Sequence, residues 1–194
     1  MSDVHTVAVF CGSRFGDNLA WRQSAIDFGR GLAQAGMCLV YGGGRIGLMG
    51  ALADAALAAG GTVIGIIPEF LQRREVAHEG VSETILTDSM HTRKRRMFEL
   101  ADAFVCLPGG LGTFDETFEI LTWRQLELHD KPIVLCNVDG AYTPLIAMID
   151  ASITQGFTPS SARQLFEVTD SVPETLARLS QLATARGGAA ALLR

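Results

Sequence analysis

Thr113 and Glu116 stand three residues apart in the stretch PGGLGTFDE (108–116), directly after the apolar run AFVCL (103–107). If this stretch opens a helix, that spacing puts a hydroxyl and a carboxylate on one face. Glycines at 109, 110 and 112 permit a sharp strand-to-helix turn with exposed backbone amides. The start of a helix adds positive potential, so the turn suits a phosphate. A phosphate held at Thr113 would bring the rest of its ligand within reach of Glu116. There the carboxylate could stabilise developing positive charge or take a proton from water. The plainer reading is that Thr113 caps the helix and that Asp115 and Glu116 merely complement its dipole.

A second cluster is the basic run Arg93-Lys94-Arg95-Arg96 inside MHTRKRRMFELADA (90–103). Read linearly it suggests a nucleic-acid patch. On a helix turning about 100° per residue, Met90, Met97 and Ala101 form the inward stripe, with Arg93 and Lys94 flanking it. Arg95 falls on the far side, where a pair with Glu99 would be solvated and weak. Arg93 and Lys94 therefore lean toward the protein, and a cation turned that way needs an anionic partner. That partner is either an internal carboxylate or a bound phosphate at a catalytic site.

Weaker signals accompany these two. GGGRIG (42–47) formally contains the dinucleotide pattern GxGxxG. It follows the second strand-like run rather than the first, and no acidic residue ends the next run, TVIGIIP (62–68). A tight turn that packs a helix on a sheet, or backbone amides facing a ligand, are the alternatives. CGSR (11–14) ends the first run; Ser13 could face an anion and Arg14 balance charge, or the segment is a plain strand exit. The pattern GxxxxGK[ST] is absent, which disfavours a P-loop nucleotidase. His5, His78, His91 and His129 lack metal-ligand spacing, and His91 reads as a helix-entry or surface residue. Cys11, Cys38, Cys106 and Cys136 are far apart in strand-like runs, as expected of reduced core cysteines in a cytosolic protein.

The elements that must position these residues follow from hydrophobic patterning. Continuous apolar runs at 6–10, 38–44, 62–68, 84–87, 103–108, 132–137 and 164–170 read as strands. Helical stretches fall near 18–35, 47–60, 89–101, 112–127, 141–155 and 173–184, with a polar loop at 69–83. This alternation predicts an α/β, doubly wound, Rossmann-like parallel sheet with helices on both faces. In such sheets ligands bind beyond the carboxyl ends of the strands, where the Gly-rich turns fall. The 194 residues fit one domain at 1–185, with a frayed tail at 186–194. A 48% hydrophobic content is enough to bury a sizeable core. Net charge is −5, which argues against bulk attraction to nucleic acid or an anionic membrane. No apolar stretch approaches the ~18 residues of a membrane span, and the N-terminus has no basic region ahead of its apolar run.

With these residues in view, the chain resembles the Lonely Guy family of cytokinin-activating phosphoribohydrolases. MHTRK (90–94) and PGGLGTFDE carry the likeness, the latter matching the family pattern PGGxGTxxE. YGGGRIGLMG (41–50), LTWRQLELHDKPIVLCNVDGAY (121–142) and the Arg-Glu pair at 74–75 extend it, so that it spans about residues 5–170. The resemblance implies hydrolysis of the N-glycosidic bond of N6-modified adenosine 5'-monophosphates, AMP included, to free base and ribose 5-phosphate. It implies catalytic roles for Arg93 and Glu116. Substrate contacts would come from Gly109, Gly110, Leu111, Gly112 and Thr113, from Lys94, Glu75 and Thr122, and from Ser13, Gly43 and Met90. It implies a cytoplasmic homodimer needing neither metal nor cofactor, and no nucleic-acid or membrane partner. Thr122 lies about 180° around its helix from Thr113, so a neighbouring subunit's site is its easier target. A general 5'-nucleotide nucleosidase and a non-catalytic nucleotide-binding module are the competing readings.

Overall fold

The computed structural model describes residues 4–72 and 77–191. Its strands are β1 (Thr6–Phe10), β2 (Cys38–Tyr41), β3 (Val63–Pro68), β4 (Glu83–Thr87), β5 (Ala103–Cys106), β6 (Ile133–Cys136) and β7 (Glu167–Thr169). The helices are α1 (Leu19–Gln34), α2 (Gly47–Ala58), α3 (Met90–Leu100), α4 (Leu111–Gln125), α5 (Thr143–Thr154) and α6 (Val172–Ala191). All strand pairings are parallel, in the order β4-β3-β2-β1-β5-β6-β7. The doubly wound α/β expectation is met. Two ends differ from it. Residues 160–164 of the expected seventh strand region and its approach form a 3₁₀ turn, leaving only Glu167–Thr169 paired with β6. The last helix runs on to Ala191, past its expected end at 184.

The strands are apolar throughout because both faces are covered. Val7 and Val9 of β1 join the core formed with Phe28 and Leu32 of α1, Leu52 of α2 and Leu179 of α6. The alternate residues Ala8 and Phe10 join the opposite core, with Met97 of α3, Ile120 of α4 and Leu145 of α5. Local signals fix where helices begin. The Asn18 side chain accepts from the Ala20 amide at 2.9 Å to open α1, and the Ser89 hydroxyl accepts from the Thr92 amide at 3.2 Å to open α3.

This strand order determines where a ligand can sit. From β1 the chain winds outward through β2, β3 and β4, then returns to place β5 on the other side of β1. Connections leaving the carboxyl ends of β1 and β5 diverge to opposite faces, which opens a crevice between them. The two strand ends are tied just there, the Gly12 amide donating to the Pro108 carbonyl at 3.0 Å. Cys11, Cys106 and Cys136 are buried and Cys38 is partly so, all four as free thiols. Among the described residues no helix is long and apolar enough to cross a membrane.

Candidate active site

A cavity of about 630 Å³ occupies this crevice. Ser13, Met90, Arg93, Gly109, Gly110, Leu111, Gly112, Thr113 and Glu116 line it, so most of the residues singled out from sequence converge. Glu116 is 8% exposed and Arg93 5%. They come from different helices and meet at 4.0 Å, Arg93 Nη2 to Glu116 Oε1. The same Nη2 donates to the Gly42 carbonyl at 3.1 Å, and Nη1 lies 3.7 Å from the Met90 sulfur. Each buried charge offsets the other's desolvation, and neither would remain ionised as cheaply alone.

The basic run divides as its helical phase demands. Arg93 and Met97 are buried. Arg95 and Arg96 both reach Glu99, at 2.8 Å each, on the solvent side. Lys94 is one of the expected substrate contacts that does not line the cavity. Its ammonium sits between Asp115 and Glu119 of α4, 3.1 Å from each, and so ties α3 to α4. Burial alone would lower its pKa; the hydrogen bonds to Glu119 and Asp115 outweigh that and raise it.

The glycines at the start of α4 have two different jobs. None of the three has positive φ, so the turn does not require left-handed backbone. A methyl at Gly109 would stand 2.1 Å from the Thr113 hydroxyl, whereas one at Gly110 or Gly112 would meet no protein atom within 4 Å. Packing thus demands glycine only at 109. At 110 and 112 the bare backbone instead leaves the first amides of α4 open to the cavity. Gly112→Ala should therefore raise the melting temperature, because Ala is favoured over Gly inside a helix by up to ~1 kcal/mol. It should at the same time weaken binding of ribose 5-phosphate. Gly109→Ala should lower the melting temperature. Differential scanning fluorimetry and titration calorimetry read both effects, and tighter phosphate binding by Gly112→Ala would contradict this division.

In GGGRIG, Gly42 lines the cavity, while Gly43 and Gly47 serve packing. Gly47, at φ 63°, would put a methyl 2.3 Å from the Ser13 carbonyl carbon, so it seats the start of α2 on the Ser13–Arg14 backbone. Gly43, at φ 76°, packs against Ile66 and Ile67 and gives its carbonyl to the His78 amide at 3.0 Å; it does not line the cavity. Thr122 is also elsewhere. It borders a second, mostly apolar groove of about 320 Å³ with Phe118, Leu121, Met148 and Phe166. Glu75 lies outside the described residues.

Arg14, expected as a residue that could balance charge, also lines the cavity, and much of the remaining wall is apolar: Phe15 and Trp21 after β1, Met49 of α2, and Leu71 from the loop after β3. The aromatic residues close behind CGSR were a legible signal for part of this wall. Leu71 carries none, since only the tertiary fold returns its loop to the site. Cys11 also lines the cavity. Burial, followed by the charge of Glu116, drives its thiol pKa far up, so it stays protonated and is no nucleophile. The Tyr142 hydroxyl donates to the Leu107 carbonyl at 2.8 Å, bracing the strand end from which the glycine turn departs. Among the described residues no three His, Cys, Asp or Glu side chains are grouped as metal ligands would be. The arrangement is a dry carboxylate–guanidinium pair beside an amide-lined corner, suited to holding an anion while charge develops a short distance away.

Comparison with known proteins agrees with that chemistry. A family model described as "Possible lysine decarboxylase" matches residues 49–179. A cytokinin riboside 5'-monophosphate phosphoribohydrolase of Rhodococcoides fascians is 48% identical over 159 residues, 81% of this chain and 80% of that one. One of Arabidopsis thaliana with the same activity in its name is 42% identical over 175 residues, 90% of this chain and 82% of that one. Among solved structures, the molybdenum cofactor binding protein of Rippkaea orientalis superposes with a TM-score of 0.68. It covers 91% of this chain and 95% of its own, at 21% identity, a likeness of fold alone.

Proposed function

The chain belongs to the Lonely Guy family of cytokinin riboside 5'-monophosphate phosphoribohydrolases, and from that premise we propose that it hydrolyses N6-modified adenosine 5'-monophosphates to free base and ribose 5-phosphate. The observation that carries this reading is the buried Arg93–Glu116 pair, 4.0 Å apart, in the same cavity as the open amides of α4. The 5'-phosphate docks on the amides of Gly110 to Thr113, with the helix dipole favouring its charge. This fixes the ribose so that its anomeric carbon lies near Glu116. As the N-glycosidic bond breaks, its electron pair leaves with the base and the sugar becomes oxocarbenium-like. The Glu116 carboxylate stabilises that cation and accepts a proton from the attacking water. The hydroxyl adds to the anomeric carbon, and the departing base takes up a proton equivalent to the one that Glu116 received from water, which returns the carboxylate to its ionised form. Arg93 holds Glu116 and the ribose in register, and remote phosphate binding supplies the positioning energy. No step calls for a metal or a cofactor.

A decarboxylase, which the family model's description suggests, would need an electron sink such as a lysine Schiff base. Lys94, the lysine next to the site, is held between two carboxylates instead. The active form is proposed to be a cytoplasmic homodimer. The groove beside Thr122 is apolar, and Met148 on it is 54% exposed, with Leu126 and Leu128 nearby in sequence also exposed at 61% and 65%. A second copy of the chain would cover such a surface and could give Thr122 a role in a neighbouring site.

The test is incubation with isopentenyladenosine 5'-monophosphate, AMP and adenosine, with chromatography for free base. Both nucleotides should be cleaved, and kcat/KM for AMP should exceed that for adenosine at least ~10-fold, because the nucleoside lacks the group that the α4 amides hold. Equal values for AMP and adenosine would overturn the phosphate role, and nucleotide binding without released base would leave a binding module.

A further inference from the structure

The Gly42 carbonyl and the missing side chain at Gly42 form the seat of Arg93. We infer that Gly42 is a positioning residue for hydrolysis: it sets where the Arg93 guanidinium stands relative to Glu116. The inference rests on the reading that Arg93 serves the reaction, and it goes beyond that reading by naming what holds the arginine.

Three distances carry it. Arg93 Nη2 donates to the Gly42 carbonyl at 3.1 Å. A methyl built on Gly42 would stand 2.0 Å from that same Nη2, and 3.1 Å from the Met49 sulfur. Nη2 is also the atom that faces Glu116, at 4.0 Å. One nitrogen is therefore held by the Gly42 carbonyl, sits in space that only a glycine leaves open, and lies 4.0 Å from the carboxylate. The φ of Gly42 lies outside the left-handed region, so its backbone conformation is open to alanine. What excludes a side chain is the guanidinium itself. Arg93 is 5% exposed, so it cannot swing into solvent to make room; it can only shift within the cavity.

The arrangement also explains the long contact with Glu116. A free arginine beside a carboxylate collapses into a two-point ion pair at ordinary hydrogen-bond distance. Anchoring Nη2 on Gly42 holds it back at 4.0 Å. The same anchor accounts for the first glycine of GGGRIG, for which a dinucleotide offers no explanation here.

The experiment compares wild type, Gly42→Ala, Arg93→Ala and the double variant by melting temperature, single-turnover hydrolysis with enzyme in excess, and the pH profile of kcat/KM. Gly42→Ala should stay folded and lose turnover ~10- to 100-fold, the scale of effect that follows from misplacing a catalytic group by about 1 Å. The acid limb of its pH profile should shift, because moving the cation relative to Glu116 changes how strongly it favours the ionised carboxylate. A residue that mattered only for stability would leave that limb in place. In the Arg93→Ala background the methyl finds room, so the double variant should be no slower than Arg93→Ala alone. Turnover of Gly42→Ala within ~3-fold of wild type, an unmoved acid limb, or additive losses in the double variant would each overturn the inference. If Gly42→Ala fails to fold, the double variant should recover folding, and its failure to do so would also overturn it. Full activity of Arg93→Ala would instead refute the underlying role of Arg93, an outcome distinct from all of these.

Discussion

Glu116→Gln should keep its fold and its affinity for nucleotide while losing turnover by ~10²-fold or more. The swap keeps the size of the side chain and removes its charge and its ability to accept a proton. Affinity is preserved because the proposed phosphate contacts are backbone amides of α4, one turn away from Glu116 and unaffected by its charge. Some stability should be lost. Gln removes the negative charge that faces the buried Arg93 guanidinium at 4.0 Å, and breaking one side of such a pair is costlier than never having built it. The hydrogen bond from Arg93 to the Gly42 carbonyl at 3.1 Å remains and limits that loss. The measurement is kcat by chromatographic release of base, alongside Kd for AMP by calorimetry. Near-normal turnover would end the assignment of Glu116. Loss of binding in parallel with turnover would make it a ground-state ligand contact instead.

Arg93→Ala should reduce activity ~100-fold or more, while Arg95→Ala, two residues away, should leave it within ~2-fold, as expected of a solvated surface pair. The first removes a 5%-exposed cation that touches both Gly42 and Glu116. Its loss takes away a positive charge that faces the buried Glu116 carboxylate at 4.0 Å. The second removes one of two solvent-side partners of Glu99, and Arg96 still pairs with that carboxylate at 2.8 Å. Steady-state hydrolysis by both purified variants decides the matter, with circular dichroism to confirm folding. Equal losses would mean that the run acts as one basic patch rather than as a helix with an inner and an outer side.

That contrast was readable from residue order, because helical phase is a local property. So were the alternating strands and helices, and with them the crevice at the strand ends. The convergence of Arg93 with Glu116 was legible only in part. The sequence leaned Arg93 toward the protein and put Glu116 on the face of Thr113, but their 4.0 Å approach depends on how α3 and α4 are brought together. Lys94 shows the limit most clearly. Phase turned it toward the protein, yet could not tell a cavity from the acidic side chains of the next helix, and it pairs with Asp115 and Glu119. Gly42 and Gly109 were visible as glycines but not as different from Gly110 and Gly112. The difference lies in which atoms a methyl would strike, and that is set by residues distant in the chain for Gly42 and by the local turn for Gly109. Thr122 was foreseen to face away from Thr113, and it borders a separate groove.

The contrast between the two ends of the cavity has a consequence for how such an enzyme can diverge. Its phosphate end is built of main chain, the amides exposed at Gly110 and Gly112. No side-chain exchange can delete those donors; only added bulk can obstruct them. Elsewhere its wall is built of side chains, among them Phe15, Trp21, Met49 and Leu71. Each of these can change in size or polarity by a single codon without disturbing the amides. On the proposed reading, the recognition of ribose 5-phosphate is hard-wired while the recognition of the base is open to drift. Descendants of this fold can thus acquire new bases one substitution at a time, without ever passing through a form that has lost its grip on the sugar phosphate.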